Sequence, residues 1–284
     1  MTYDALLRLA YKRVKELNGE EEAAKLLLME TSGLDPHRFY MAMKTEVSES
    51  FRHTYLKQLD QYLIDHIPVQ HLIGYSYFYG YKLIVNEHVL IPRPETEHLV
   101  EHVLYFFDRY FEPTKHRVLD LGTGSGCIGL TLAKEEALLD VTISDISEDA
   151  LSVAQKNKEN LDVHAEIILS DLFEHIDGKF SIIVSNPPYI PDREVVEDVV
   201  KKEPRVALYG GSLGVDFYDK ILKDSQYHIH EKALIAFEHG FQQREIIKSF
   251  AKKHYPDAVI VQMKDLSGKD RYTFVGLGGV LANE

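Results

Sequence analysis

Apolar residues in the N-terminal part of the chain recur at the spacing of amphipathic helices. "SGLDP", from Ser32 to Pro36, interrupts this pattern with a helix break and a new helix start. The pattern predicts a small helical bundle over residues 1–73, either a packing domain without chemistry or a domain that docks a substrate. The apolar positions three or four residues apart are Ala5, Leu6, Leu9, Ala10 and Leu17, then Ala23, Ala24, Leu27 and Leu28, then Phe51, Tyr55, Leu59, Tyr62 and Leu63.

From Tyr75 onward the pattern changes to aromatic and β-branched residues. The segments "FYGYKLIV" and "HVLI" predict a β-hairpin with Asn86-Glu87 near its turn. Residues 74–92 are therefore predicted to be a hairpin linker. The segment "IPRPETEHLVEHVL" that follows predicts a helix after the proline-flanked Arg93.

Beyond Arg117, short apolar runs alternate with helical patterns. Such alternation is typical of an α/β domain whose parallel sheet is covered on both faces, here within residues 93–284. The last two strands are joined by the short "KDLSGKD", so we expect them to pair antiparallel. The predicted strands are 118–121, 141–144, 165–169, 180–184, 233–238, 259–262 and 272–275, and the predicted helices are 127–134, 148–157 and 215–225.

Composition narrows the class of protein. The net charge of −13, from 45 acidic and 32 basic residues, argues against broad contact with nucleic acid, and we expect no direct DNA binding. Cys127 is the only cysteine, which excludes an intrachain disulfide. No apolar run approaches the roughly 20 residues of a membrane span, and the charged N-terminus does not resemble a signal peptide. We therefore expect a cytoplasmic protein with no membrane partner.

A glycine-rich loop, "DLGTGSGCIGL", lies where the first strand of this domain meets the first helix. Its glycines allow a tight turn and a close approach of a ligand to the backbone, and the helix behind it presents free N–H groups. Asp145 ends the next strand, where a carboxylate can accept hydrogen bonds from two ribose hydroxyls. The spacing G-x-G-x-G differs from the dinucleotide pattern G-x-G-x-x-G. The ligand is therefore predicted to be an adenosyl nucleoside. The loop residues are Gly122, Thr123, Gly124, Ser125 and Gly126.

Asp171 and Leu172 follow the third strand of the domain in "LSDLF". The Asp171 carboxylate could accept a hydrogen bond from an adenine amino group, with Leu172 and Phe173 against the ring. Asp is also a favoured helix N-cap, and the residues alone leave the two alternatives open.

The segment "SNPPYIP" follows the fourth strand and therefore lies at the carboxyl edge of the sheet. The side-chain oxygen of Asn186 and the carbonyl of Pro187 are two acceptors suited to an –NH2 group. Pro188 stiffens the loop and Tyr189 offers a flat wall for a planar group. Two fixed acceptors orient the nitrogen lone pair toward a methyl donor, which is catalysis by orientation and preorganisation. The alternative is a plain turn.

These motifs resemble class I S-adenosylmethionine-dependent methyltransferases with a Rossmann-like sheet. "IPRPETE", "DLGTGSGCIGL", "SNPPYIP" and "FEHG" together resemble the HemK/PrmC family of protein-(glutamine-N5) methyltransferases across nearly the whole chain. The resemblance implies a glutamine substrate in the Gly-Gly-Gln motif of class-one peptide chain release factors, and S-adenosylhomocysteine as the second product. It implies roles in cofactor binding for residues 122–126, Asp145, Asp171, Leu172 and Asn186. It implies substrate binding by residues 186–189, with Asn186, Pro187 and Tyr189 as catalytic residues.

Two other functions use the same motifs. An adenine-N6 nucleic-acid methyltransferase could hold an exocyclic amine in the same clamp, although base flipping usually requires a basic recognition region. A non-enzymatic adenosyl-binding module would not need two aligned acceptors.

Four further features could take part in chemistry but also have a simpler structural interpretation. His98 and His102 lie at metal-ligand spacing on a helix but lack a carboxylate set, so an exposed helix face is the simpler interpretation. Cys127 is expected to pack, and Arg93 to line the site mouth or to pair with an acid. The segment from Glu238 to Gly240 is expected to end a strand near the site without a catalytic role.

Overall fold

The computed structural model describes residues 1–284 and divides into two compact units. The first unit contains the predicted N-terminal helices, whose inward faces bury Leu6, Leu27, Tyr55 and Leu59 in one core. Gly33, with φ of 65°, ends one helix, and the Asp35 side chain caps the next by accepting from the Arg38 N–H at 2.9 Å. The helices are α1 (Tyr3–Glu16), α2 (Glu21–Ser32), α3 (Pro36–Met41), α4 (Glu49–Leu63) and α5 (Val69–Ile73).

The first unit comprises Met1–Tyr75 and a distant segment, Val196–Lys202. His66 Nε2 lies 3.9 Å from the Asp198 carboxylate within this unit. The hydrophobic pattern did not reveal that 196–202 belongs with the helices, because the segment is short and only three of its residues form a 3₁₀ turn.

The predicted hairpin exists, but the prediction of its turn is wrong. The paired strands are β1 (Tyr75–Phe78) and β2 (Tyr81–Ile84), and they are joined by Tyr79 and Gly80. Both joining residues have positive φ, 52° and 80°, as a tight I′ hairpin turn requires. Asn86 forms a separate turn after the hairpin, in which its side chain accepts from the His88 N–H at 3.0 Å.

The second unit is built on a seven-stranded sheet in the order β5-β4-β3-β6-β7-β9-β8. β9 pairs antiparallel with both β7 and β8, whereas β3 to β7 pair in parallel. The predicted α/β class with a mostly parallel sheet and an antiparallel last strand is confirmed. The strands are β3 (His116–Leu121), β4 (Leu139–Asp145), β5 (Ala165–Leu169), β6 (Phe180–Ser185), β7 (Ile229–Glu238), β8 (Val259–Lys264) and β9 (Asp270–Leu277).

Helices cover both faces of this sheet. Successive residues of a strand point to opposite faces, so Ile182 and Val184 of β6 pack into one core and Ile183 packs into the other. Every residue of β6 is buried, which explains its continuous apolar run. The remaining helices are α6 (Pro94–Tyr110), α7 (Cys127–Glu135), α8 (Glu148–Leu161), α9 (Arg205–Leu208), α10 (Asp216–Asp224) and α11 (Arg244–His254).

The strand order reverses between β3 and β6. From β3 the chain proceeds outward through β4 to β5, and it then returns to place β6 on the other side of β3. Leu121 and Ser185 are paired in the register of β3 and β6, so the loops that follow these strands start side by side. Ligands of such sheets bind at this point of reversal, outside the carboxyl ends of the strands.

Candidate active site

The glycine-rich loop connects β3 to α7 at the reversal point. Gly122 and Gly124 have φ of 71° and 55°, a region that side chains disfavour. A Cβ atom at either residue would meet no atom within 4 Å, so their backbone faces open space. The N–H groups of Gly122 and Thr123 both donate to the Ser144 carbonyl at 2.9 Å, which ties the loop to β4.

Asp145 at the end of β4 holds the same loop from its other side. Its Oδ2 accepts from the Gly124 N–H at 2.9 Å, and its Oδ1 accepts from the Ser147 N–H at 3.0 Å. Burial raises the pKa of this carboxyl, and the hydrogen bonds from Ser147 and Gly124 partly oppose that rise. Each carboxylate oxygen retains a lone pair for a ligand hydroxyl.

Asp120, two residues before the loop, is buried and serves the fold. Its Oδ2 accepts from Thr123 Oγ1 at 2.6 Å and from the Gly129 N–H at 2.9 Å, which joins the loop to the first turn of α7. Burial raises the pKa of Asp120 to about 6. A Cβ at Gly129 would lie 2.4 Å from Ile143 Cγ2, so this close approach of helix to strand requires glycine.

Asn157 is a site-supporting residue that the sequence analysis missed. Its Nδ2 donates to the carbonyls of Ser125 at 2.9 Å and Ile84 at 3.0 Å, and its Oδ1 accepts from the Ile84 N–H at 2.6 Å. It therefore fastens the glycine loop to β2. The available signal is the position of an asparagine on the apolar stripe of α8, between Ala154 and Leu161.

The glycine loop opens into a cavity of about 310 Å³, which is within the range that binds small ligands. Most of the predicted site residues line it, which brings together groups from four strand ends. Gly126 instead packs against Leu130 of α7, and Tyr189 lines a neighbouring cavity of about 380 Å³. The predicted residues on the wall of the first cavity are Gly122, Thr123, Gly124, Ser125, Asp145, Asp171, Leu172, Asn186, Pro187 and Pro188.

The structure excludes the helix N-cap interpretation of Asp171. No helix begins at this residue, because 171–175 forms turns, and the N-cap alternative therefore does not apply. The turn is held by Ser170, whose hydroxyl donates to the Leu172 carbonyl at 2.9 Å and accepts from the His175 N–H at 3.0 Å. Asp171 is exposed and lies on the cavity wall beside half-buried Leu172. The expected contact of Phe173 with the same ligand is wrong, because Phe173 is buried in the core and stacks on His228.

Asn186 is connected to two buried polar residues from other elements. Its Nδ2 donates to Thr96 Oγ1 at 3.3 Å, and the Thr96 hydroxyl donates to Glu238 Oε2 at 2.7 Å. Thr96 is 2% exposed and Glu238 is 1% exposed. Burial raises the pKa of Glu238 to about 7, while hydrogen bonds from Thr96 and Asn186 and the charge of Arg271 lower it. Thr96 has no signal in the sequence pattern, and Glu238 was predicted only to end a strand near the site.

The loop after Asn186 is held by a second buried amide. Gln243 Nε2 donates to the carbonyls of Tyr189 at 2.8 Å and Gly214 at 3.0 Å, and its Oε1 accepts from the Gly240 N–H at 2.9 Å. A Cβ at Gly214 would lie 2.1 Å from the Tyr189 carbonyl oxygen, so this contact also requires glycine. Burial and the nearby Glu238 raise the pKa of the Tyr189 hydroxyl to about 12.

Comparisons with known proteins cover both units. Residues 5–74 match the family model described as PrmC N-terminal domain, and residues 98–228 match the one described as Methyltransferase small domain. The chain is 36% identical to the release factor glutamine methyltransferase of Bacillus cereus over 278 residues, which are 96% of this chain and 98% of that protein. It is 37% identical to the enzyme of that name from Streptococcus pneumoniae over 264 residues, 92% of this chain and 93% of the relative.

The chain belongs to the release factor glutamine methyltransferase family.

A solved structure has a similar fold. A crystal structure of a methyltransferase from Pyrococcus furiosus has a TM-score of 0.52 with it, at 17% identity, and covers 80% of this chain and 96% of its own. No helix is long and apolar enough to cross a membrane.

Arg93 was expected either to line the mouth of the site or to pair with an acid, and it does both. Its Nη2 lies 2.5 Å from Glu203 Oε1, and Glu203 Oε2 accepts from the Ile91 N–H at 2.9 Å. The Glu203 side chain is 1% exposed, whereas that of Arg93 is 36% exposed. The pair therefore fixes the entry to α6.

The prediction of an exposed helix face is wrong for His102, which is half-buried against β9. His98 Nδ1 lies 2.9 Å from Glu101 Oε2, and His102 packs among the rings of Phe106, Tyr272 and Phe274. No group of three or more His, Cys, Asp or Glu residues is arranged to hold a metal ion. Burial raises the pKa of the Cys127 thiol to about 12, so it stays protonated and is a poor nucleophile.

Proposed function

We propose that this protein transfers a methyl group from S-adenosylmethionine to the side-chain amide nitrogen of the glutamine in the Gly-Gly-Gln motif of class-one peptide chain release factors. The observation that carries the proposal is that Asn186 and Pro187 line the same cavity as Asp145 and the glycine loop. Methylation of this glutamine modulates translation termination. The proposal makes release factors the protein partner and the cytoplasm, where termination occurs, the compartment.

The chemistry of the cavity wall fits S-adenosylmethionine. The open space beside Gly122 and Gly124 leaves room for a ligand to approach the backbone. Asp145 retains acceptor capacity for ribose hydroxyls beyond its bonds to Gly124 and Ser147. Asp171 and Leu172 supply an acceptor and an apolar contact for the adenine. When bound there, the cofactor supplies an electrophilic methyl group.

The chain contributes to the reaction by orientation. An amide nitrogen is a weak nucleophile because its lone pair is delocalised into the carbonyl. Asn186 Oδ1 and the Pro187 carbonyl accept its two N–H bonds and so direct the lone pair toward the methyl group. The nitrogen becomes more positive as the new N–C bond forms. Its N–H groups then become better donors, and these two acceptors stabilise the transition state more than the ground state. The S–CH3 bond of the donor breaks as the N–CH3 bond forms, which leaves S-adenosylhomocysteine, and loss of one N–H proton to water gives the neutral N-methyl amide.

Transfer of a labelled methyl group tests this proposal. The protein is incubated with S-adenosylmethionine carrying a labelled methyl group and either a class-one release factor or adenine-containing nucleic acid. We expect label on the glutamine of Gly-Gly-Gln, located by proteolysis and mass spectrometry, and none on a release factor in which that glutamine is replaced by alanine. Label in nucleic acid would support the adenine-N6 alternative instead. Cofactor binding without any transfer would support a binding module.

We also propose that the helical unit docks the protein substrate. A stable protein interface buries about 800 Å² on each partner, far more than a glutamine side chain can offer. Helix α3 exposes two adjacent apolar side chains, Tyr40 at 59% and Met41 at 76%. We therefore expect Met41→Glu to raise the KM for intact release factor severalfold without changing the dissociation constant of the cofactor. An unchanged KM would remove α3 from the docking surface.

A further inference from the structure

We propose that Thr96 and Glu238 are positioning residues, which fix the direction of the Asn186 side-chain amide so that its oxygen is presented to the substrate. The inference rests on the proposed function, since it concerns the acceptor that holds the glutamine amide. The three residues come from three separate elements: the first turn of α6, the end of β7 and the loop after β6.

The direction follows from the chemistry of the three groups. An ionised carboxylate can only accept, so Glu238 makes the Thr96 hydroxyl donate its single hydrogen. The lone pairs of Thr96 Oγ1 then remain for Asn186, which must offer an N–H to them. Because the two ends of an amide are fixed relative to one another, the Asn186 oxygen is left for the substrate. Reversal of the amide would present –NH2 to –NH2, where neither group can accept.

The hydrogen-bonded series of Glu238, Thr96 and Asn186 forms a relay, and the backbone next to Thr96 and at Glu238 is held rigidly. The Tyr272 hydroxyl donates to the Glu95 carbonyl at 2.6 Å, next to Thr96, and the Tyr218 hydroxyl donates to the Glu238 carbonyl at 2.9 Å. Thr96 and Glu238 are almost fully buried, so water does not compete for their bonds. Rigid support of this kind is what a preorganised hydrogen-bond acceptor requires.

Protonation of Glu238 would remove the constraint, because a carboxylic acid can donate as well as accept. Burial brings the pKa of this group to about 7, and the positive charge of Arg271 acts against that rise. Glu95 on α6 also faces Glu238 and opposes its ionisation. Tyr189, Tyr218, Tyr272 and Cys127 face it as well, and burial raises the pKa of each of these four groups further above its ordinary value, so they carry no charge in this range. The relay is therefore directional above about pH 7 and loses its direction below it.

Thr96→Val and Thr96→Ser provide a matched pair for the kinetic test. Valine keeps the shape and removes the hydroxyl with both of its hydrogen bonds, to Glu238 and from Asn186. We expect the single-turnover rate of methyl transfer to fall about fivefold to tenfold, the effect of losing the one bond that orients Asn186. Serine keeps the hydroxyl and should retain a rate within about twofold of wild type. The dissociation constant of S-adenosylmethionine should be unchanged in both. A wild-type rate in Thr96→Val, or equal losses in both variants, would overturn the proposal.

A second measurement does not depend on methyl transfer. The side-chain NH2 resonances of Asn186, identified by their absence in Asn186→Ala, should shift with a midpoint near pH 7 in the wild-type protein. In Glu238→Gln this shift should disappear. Its persistence there, or its absence from wild type, would overturn the positioning role. If wild type shows the shift but labels no release factor, the proposed function fails while the positioning of Asn186 stands.

Discussion

Replacing Asn186 with alanine is expected to lower the single-turnover rate of methyl transfer roughly 10²- to 10³-fold. Loss of one preorganised hydrogen-bond partner in a reacting centre costs about 2.7–4 kcal/mol in the transition state. Asn186 supplies one of only two acceptors that we assign to the substrate –NH2, and its own –NH2 is already engaged by Thr96. After the substitution, the Pro187 carbonyl is the one assigned acceptor that remains for the substrate –NH2.

The measurement is a single-turnover time course at saturating cofactor with intact release factor. Asn160→Ala is the matched control, because Asn160 is exposed on α8 and should leave the rate unchanged. Thermal unfolding of Asn186→Ala should remain close to wild type, since the loop backbone is held independently by Gln243. A wild-type rate in a folded Asn186→Ala protein would mean that "NPPY" is only a turn.

Asp145→Ala is expected to weaken binding of S-adenosylmethionine by about 100-fold or more. Hydrogen bonds to a charged group contribute about 1.5–3 kcal/mol each, and we assign two ribose hydroxyls to this carboxylate. The substitution also removes the acceptors of the Gly124 and Ser147 N–H groups, which loosens the loop that faces the ligand. Both effects weaken binding, so the loss should reach at least the lower end of the range for two such bonds, about 3 kcal/mol.

Isothermal titration calorimetry measures this effect directly. Asp140→Ala is the matched control, because Asp140 lies on the same strand but is exposed, and it should bind the cofactor like wild type. The cofactor affinity of Asp145→Asn should lie between those of Asp145→Ala and wild type, since the amide oxygen replaces only one of the two carboxylate oxygens. Equal affinity of Asp145→Ala and wild type would exclude Asp145 from the cofactor site.

The hydrophobic pattern predicted helices and strands correctly where buried side chains recur at the spacing of a helix or strand. The continuous apolar run of β6 and the alternation of Val118 and Leu119 reflect a sheet covered on both faces, and this was predictable because side-chain direction follows from backbone geometry. The hairpin turn was misplaced because Asn86-Glu87 has turn chemistry, whereas Tyr79 reaches positive φ without a residue type that favours it.

The sequence by itself determined the fold class, the glycine loop with Asp145 and the position of Asn186 after a buried strand. These features depend on neighbours in the chain, since a strand end, a loop and a helix start follow one another within a few residues. Tertiary structure alone decided that β9 inserts between β7 and β8, that Tyr189 faces a neighbouring cavity, and that Thr96 and Glu238 meet Asn186. Thr96 and Glu238 are 142 positions apart, and their hydrogen bond forms only because α6 and the end of β7 pack together. A contact between residues so far apart leaves no repeating pattern in one amino-acid sequence.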